Sequence, residues 1–418
     1  MLQMSTKDAI MVNVKKYLSF GGGEKGLTGN EWRIIMSDKN QSTVLKFLHC
    51  GDIHLDTPFV GLAPEKSDER RAGLRQNFMK MMDYVRGAGV HYVLISGDLF
   101  ETECATNSTA ELLIREFRNS PDTKFIIAPG RYDCYEGNPI YTSGRLPQNV
   151  YVFSSDKLDR FDFEEDRVVV YGWAFMGESL KESPLYKRTV GDGSKINMVC
   201  GYADVDAPVG SDKCPVTLFD LKRFGADYYA FGSRHEGSDF VNLESSMYGY
   251  CGALESTGFD EPGIGGAKLV TVKYNKGEMS MDAKNLTFGK IVFQKESIDI
   301  TGLDTSNDII NRISHLVSEK KYGHETALYL ELTGSINPRF IIPKNLGSET
   351  YGLYSFEMKD KTIPLYGTEG FKRDMSVKGE LYRQLLPMLE SENEEERLLG
   401  ARAFREGLAA LENREIDT

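Results

Sequence analysis

From residue 44 to about residue 275, short apolar runs alternate with stretches in which apolar side chains recur every three or four positions. The runs Val44 to Leu48, Tyr92 to Ile95, Phe125 to Ala128, Val150 to Phe153, Val168 to Tyr171, Ile196 to Val199 and Tyr228 to Phe231 have the length and composition of buried strands. Between the first two, Leu74, Phe78, Met81, Met82 and Val85 mark a helix, and Leu112, Leu113 and Phe117 mark another before the third. Strand and helix alternating through short connections predicts a layered α/β domain, with the Met and aromatic stripes as core. In such sheets the polar residues just beyond strand ends build the usual site.

The texture then changes. Ile309, Ile310, Ile313, Leu316 and Val317 predict a helix, followed by strands at Ala327 to Leu332 and Tyr351 to Met358, enough for a small α+β domain. From Val377 onward the pattern is helical and highly charged, with apolar stripes at Leu381, Leu385, Met388 and Leu389 and at Phe404, Leu408 and Leu411. Such a tail either folds back on its own body or docks on a partner. The expected division is an N-terminal extension (1–43), a main domain (44–290), a small α+β domain (291–370) and a helical tail (371–418). The extension has no clear core pattern. Its run Gly21 to Gly26 lacks the Gly-Lys-Ser/Thr of a phosphate loop and reads as a flexible link.

Composition narrows the class. With 418 residues, 40% hydrophobic and 27% charged, the chain has the profile of a soluble multidomain protein. No apolar run approaches the ~18 residues that span a bilayer, and no secretory h-region is evident. Six cysteines scattered without C-x-x-C pairing argue against a disulfide framework or a structural zinc site, and point to the cytoplasm. A net charge of −12 is wrong for a chain that coats nucleic acid by bulk charge, but leaves room for a local groove.

The chemistry begins after the first strand, at His49-Cys50-Gly51-Asp52-Ile53-His54. If the segment stays extended, Asp52 and His54 share a face and can reach one cation. Later strand ends carry Gly97-Asp98-Leu99-Phe100-Glu101, Gly130-Arg131-Tyr132-Asp133, Cys200-Gly201-Tyr202 and Gly232-Ser233-Arg234-His235.

In order and spacing these segments resemble the calcineurin-like metallophosphoesterases, and in particular the SbcD-type DNA exonuclease subunit of double-strand-break repair complexes. Those proteins show D-x-H, G-D-L-F or G-D-x-x-D, G-N-H-D, an isolated His and G-H-x-H. The resemblance extends through Tyr250-Cys251-Gly252 and Gly258-Phe259-Asp260-Glu261, and to a capping domain and a helical C-terminal region. It implies a metallophosphoesterase sandwich of two mixed sheets flanked by helices. It also implies a manganese-dependent hydrolase that binds DNA in the cytoplasm, forms a homodimer and is partnered by an SbcC-type coiled-coil ATPase near residues 372 to 418.

The resemblance implies two metal ions about 3.5–4 Å apart, and here the two ligand sets fare differently. Asp52, His54, Asp98 and His235 match the first set. In the second, Arg131 replaces Asn, Cys200 takes the place of the isolated His by best alignment, and Ser233 replaces the first His of G-H-x-H; Tyr132 replaces the catalytic His and Asp133 is kept. The expectation is one divalent ion, with Arg131, joined by Arg234, supplying fixed positive charge where the second would sit. At an effective dielectric near 20 a unit charge ~4 Å away is worth about 4 kcal/mol, so giving up one such unit costs on the order of a thousandfold in rate. The alternatives are reduced exonuclease activity, a catalytically silent DNA-binding or scaffold role, and a phosphatase on a small phosphoester.

Overall fold

A computed structural model of the chain describes residues 43–59, 64–275, 278–303, 305–336, 342–343, 346–364 and 368–411. The first 42 residues of the N-terminal extension, its glycine run among them, lie outside the described residues. There are two units. The smaller comprises residues 1–45 and 271–282, of which strand residues 43–45, 271–275 and 278–282 are described. The larger comprises residues 46–270 and 283–418 and holds everything considered below.

Two six-stranded sheets organise the chain. The strands of the first are β1 (Thr43–Cys50), β2 (Tyr92–Ile95), β3 (Lys124–Ile127) and β4 (Val150–Val152), with β11 (Gly266–Asn275) and β12 (Glu278–Thr287) beyond β1. Strands β1 to β4 are parallel. The second sheet contains β5 (Asp159–Phe163), β6 (Val168–Gly172), β7 (Ile196–Tyr202), β8 (Tyr228–Gly232), β9 (Val241–Leu243) and β10 (Ser246–Tyr250). Its centre is parallel, while β5 and β9 are added antiparallel, which makes it a mixed sheet. Every residue of β2, β6, β7 and β8 is buried, as expected for parallel strands covered on both faces.

Helices cover both sheets. On α1 (Pro64–Ala88), Leu74, Phe78, Met81, Met82 and Val85 face the first sheet, joined by Leu112, Leu113 and Phe117 of α2 (Asn107–Arg118). On the second sheet, Trp173, Tyr229, Phe231 and Phe224 of α3 (Leu218–Phe224) form a separate core. Thr217 caps α3 by accepting from the Asp220 amide, and Gly225 ends it in the left-handed region with φ 76°.

A third sheet, β13 (Val292–Asp299), β14 (Thr326–Thr333) and β15 (Ser355–Asp360), is parallel throughout and packs its own core against α4 (Ser306–Lys320). The strand expected from Tyr351 is shorter: Ser348–Tyr351 makes a helical turn ended by Gly352 at φ 65°, and β15 starts only at Ser355. The tail folds back on the body. Helices α5 (Val377–Leu389) and α6 (Glu394–Leu411) close over Tyr382, Phe404 and Leu408, and Arg405 pairs with Asp360 at the end of β15.

Candidate metal centre

The expected extended geometry of Asp52-Ile53-His54 is not what forms. Strand β1 stops at Cys50, and both Asp52 (φ 45°) and His54 (φ 49°) are left-handed, as is Asp56 (φ 69°). Two left-handed residues flanking Ile53 turn both polar side chains to one side while Ile53 packs into the core. The turn is held by its backbone: the Asp52 amide donates to Gly97 O (3.0 Å) and the Ile53 and His54 amides donate to Asp98 O (2.9 Å each). Farther along, Asp56 is clamped by Arg75 of α1 and by the Thr109 hydroxyl of α2.

Asp52, His54 and His235 bring donor atoms within 4.8 Å of one another. Asp98 adjoins them, with Oδ2 3.9 Å from His54 Nε2. Behind each imidazole stands a glutamate. His54 Nδ1 lies 2.7 Å from Glu101 Oε1, and His235 Nδ1 lies 2.6 Å from Glu261 Oε1. Both rings therefore turn Nε2 toward the centre, where the two Nε2 atoms stand 3.1 Å apart. Asp52 accepts from the Ser233 amide through both oxygens, at 3.1 Å each. Ser233 spends its hydroxyl on Ala203 O (2.8 Å), so it presents a backbone N–H rather than a ligand.

These residues fit a divalent cation. With each Nδ1–H donating to a glutamate, the two Nε2 atoms face each other, and in neutral rings their lone pairs converge where a shared ion would sit. Two nitrogens each ~2.1 Å from one ion at right angles lie ~3 Å apart. Asp98 Oδ2 is buried with no hydrogen-bond partner, the signature of an oxygen reserved for a cation. Charge tells the same story. Burial pushes the Asp52 carboxyl up to about 6, with His235 opposing and Asp98 adding to the rise. Burial disfavours the His54 cation, yet the bond to Glu101 and the charges of Asp98 and Asp52 outweigh it and raise His54 to about 9. Raised carboxyls and raised imidazoles together describe a cavity short of positive charge.

The other half of the pocket departs from expectation at two positions. Cys200 does not reach it: its thiol lies between the sheets, 3.3 Å from Ile95 O. Tyr202, two residues on and on the same face of β7, clears the end of β2. Its ring passes over Gly97 and its hydroxyl faces the Asp98 carboxylate. Gly97, at φ 99°, admits that ring because it has no Cβ. Arg234 also turns away, pairing with Asp204 and Val205 O and stacking on Tyr250. Arg131 remains by the pocket, partly buried, reaching Asp212 at 3.6 Å. The half-exposed Tyr132 ring meets the His54 ring edge-on at 5.2 Å, and its amide donates to Asp98 Oδ1 (2.9 Å). Asp133 is structural: its oxygens accept from the amides of Asp98, Leu99 and Gly130 and from the Tyr141 hydroxyl.

Sequence reasoning overlooked Glu101 and Glu261 as functional groups, although both end motifs quoted for the resemblance. For Glu101 the available signal was its place three residues after Asp98, whereas Glu261, 26 residues beyond His235, had no local signal.

Residues 45–236 match the calcineurin-like phosphoesterase family. A Bacillus subtilis (strain 168) protein described as the uncharacterized metallophosphoesterase YhaO is 27% identical over 307 residues, covering 70% of this chain and 72% of that one. Similar solved structures include a dimetal phosphatase from Danio rerio, 11% identical, covering 57% of this chain and 98% of that one with a TM-score of 0.37. Another is Vps29 complexed with Zn²⁺ from Entamoeba histolytica, 11% identical, covering 58% and 99% with a TM-score of 0.26. Asp52, His54, Asp98 and His235 all lie within residues 45–236, the stretch that matches the calcineurin-like phosphoesterase family, while the two sheets that carry them continue beyond it to Thr287.

Proposed function

We propose that this metallophosphoesterase is a phosphodiesterase acting at DNA ends, of the exonuclease kind its motif order resembles, and that it works with one divalent cation, manganese. The observation that carries the metal reading is the pair of glutamate-backed imidazoles beside the unpartnered Asp98 oxygen. Asp52, His54, Asp98 and His235 would hold the ion. Bound there, a divalent cation polarises a phosphoryl oxygen and acidifies water.

The chain's own residues do the rest. Glu101 and Glu261 keep the Nδ1 protons in place, so both Nε2 atoms stay free to ligate. The Ser233 amide holds Asp52 in its orientation. Arg131, released from the long contact to Asp212, offers a planar fork to a phosphate. Tyr202 stays protonated, because burial and the Asp98 and Asp52 charges push its phenol far up, and remains a donor toward Asp98 or a substrate oxygen. Tyr132 sits at the rim, where its ring can stack on a base.

The test is cleavage of end-labelled linear duplex DNA by the purified full chain with Mn²⁺, alongside circular duplex and p-nitrophenyl phosphate. Linear DNA should be degraded, and Asp52→Ala and His235→Ala should abolish it. Cleavage of p-nitrophenyl phosphate alone would instead assign a phosphatase on a small phosphoester. A second reading, a silent DNA-binding or scaffold subunit, is favoured by Tyr202 and Arg131 standing in the other half of the pocket. It predicts DNA or ATPase-partner binding without cleavage under any divalent ion. Copurification with a coiled-coil ATPase and the homodimer are read in the same preparation.

A further inference from the structure

We infer that Arg70 is a positioning residue that ties the third sheet to the metal centre, so that the seating of that sheet sets how well His54 and His235 bind their ion. This rests on the metal reading above. Arg70 lies on α1 with its side chain only 3% exposed. It reaches both ligand-bearing loops. Toward the first, its guanidinium lies 4.9 Å from the ring of Phe59, which lies five residues beyond His54 and shares a buried core with Ile53 and Leu55. Toward the second, it donates to Glu255 Oε1 (2.8 Å) and Ser256 O (2.5 Å). The next residue, Thr257, donates from its amide (2.7 Å) and hydroxyl (3.0 Å) to Glu261, whose carboxylate holds His235.

The same guanidinium also faces the third sheet. Phe293 of β13 lies 5.5 Å from it and Tyr354, just before β15, 6.0 Å. Phe293 grips the second loop directly as well, exchanging backbone hydrogen bonds with Gly263 and packing on Phe259 at 5.1 Å. One planar cation, buried against three rings and a carboxylate, thus joins α1, both loops and the third sheet. Lysine cannot copy this: an ammonium lacks the fork that spans Glu255 and Ser256 and the flat face that stacks.

The experiment uses the full chain and two cations, Mn²⁺ for affinity by calorimetry and Co²⁺ for the visible spectrum of the bound ion. Arg70→Lys is expected to bind Mn²⁺ about tenfold more weakly, as loss of an outer positioning partner does. It should also alter the Co²⁺ bands at saturation, which a loss of stability alone leaves unchanged. Phe293→Leu, which removes only the third-sheet ring, is expected to weaken Mn²⁺ in the same direction and serves if Arg70→Lys does not fold. A folded variant with wild-type affinity and an unchanged Co²⁺ spectrum overturns the proposal while the metal reading stands. If His54→Ala binds Mn²⁺ as wild type does, the metal reading fails and the proposal falls with it.

Discussion

His54 and His235, 181 residues apart in the chain, turn their Nε2 atoms to within 3.1 Å of each other. One ring comes from the end of the first sheet and the other from the end of the second, and each has a glutamate bonded to its Nδ1.

Metal should therefore stabilise the fold through these side chains. At a hundredfold excess over the dissociation constant, a bound ion adds about 2.7 kcal/mol. For a chain of 418 residues unfolding as one unit that is roughly 3 °C in melting temperature. Adding EDTA should reverse the gain, and Asp52→Ala should show none. Equal melting curves with Mn²⁺ and with EDTA would count against a metal centre.

Replacing Glu101 by Gln removes the charge that holds the His54 Nδ1 proton while keeping the shape. Metal affinity should fall about 10–100-fold with little change in apo stability. Glu261→Gln should behave alike, and calorimetric titration of both variants decides it. Wild-type affinity in both would mean the glutamates do not orient the rings.

Tyr202, rather than Cys200, faces Asp98, so the two substitutions should part company. Arg131→Asn with Tyr202→His should raise the bound Mn²⁺ count from one toward two, read by metal analysis. Cys200→His should leave the count alone. It should also cost about 2 kcal/mol or more, because an imidazole must be forced between the sheets beside Ile95 O.

His49 gives the fold an acid-sensitive edge. It is fully buried between the sheets, touching the Tyr228 hydroxyl (2.8 Å), the Ser96 hydroxyl and Phe231 O (3.1 Å each). Burial, helped by the Lys268 charge and opposed by Phe231 O, lowers it to about 3. In the unfolded chain it takes up a proton near 6.5. The unfolded state thus binds the extra proton as pH falls. His49's contribution is complete above about 6.5 and drains away between there and about 3, by up to ~1.4 kcal/mol per pH unit. Urea titrations at pH 7, 6 and 5 should show a shallower acid loss in His49→Gln, and identical slopes would refute this.

What the sequence made legible follows from burial. Tyr92–Ile95 is apolar at every position and its boundaries are read directly, whereas Asp159–Phe163 is a half-polar edge strand that leaves no run to see. The four expected ligands meet at the strand ends, yet the left-handed turn that points Asp52 and His54 together has no glycine to announce it. The slip from Tyr202 to Cys200 is a strand-register error. The two share a face, and only the length of β2 decides which one emerges beyond it. Arg234 looked equivalent to Arg131 until Asp204, distant in sequence, claimed it.

Because the donors straddle two sheets, an ion seated among them would work as a clasp on the sandwich. The first sheet brings Asp52, His54 and Asp98 and the second brings His235, so full coordination waits until the two halves meet, and tight metal uptake during refolding should mark completed assembly. Stripped of its ion, the protein should open first along that seam, with amide hydrogens near Asp52 and Ser233 exchanging ahead of those in β2 and β7.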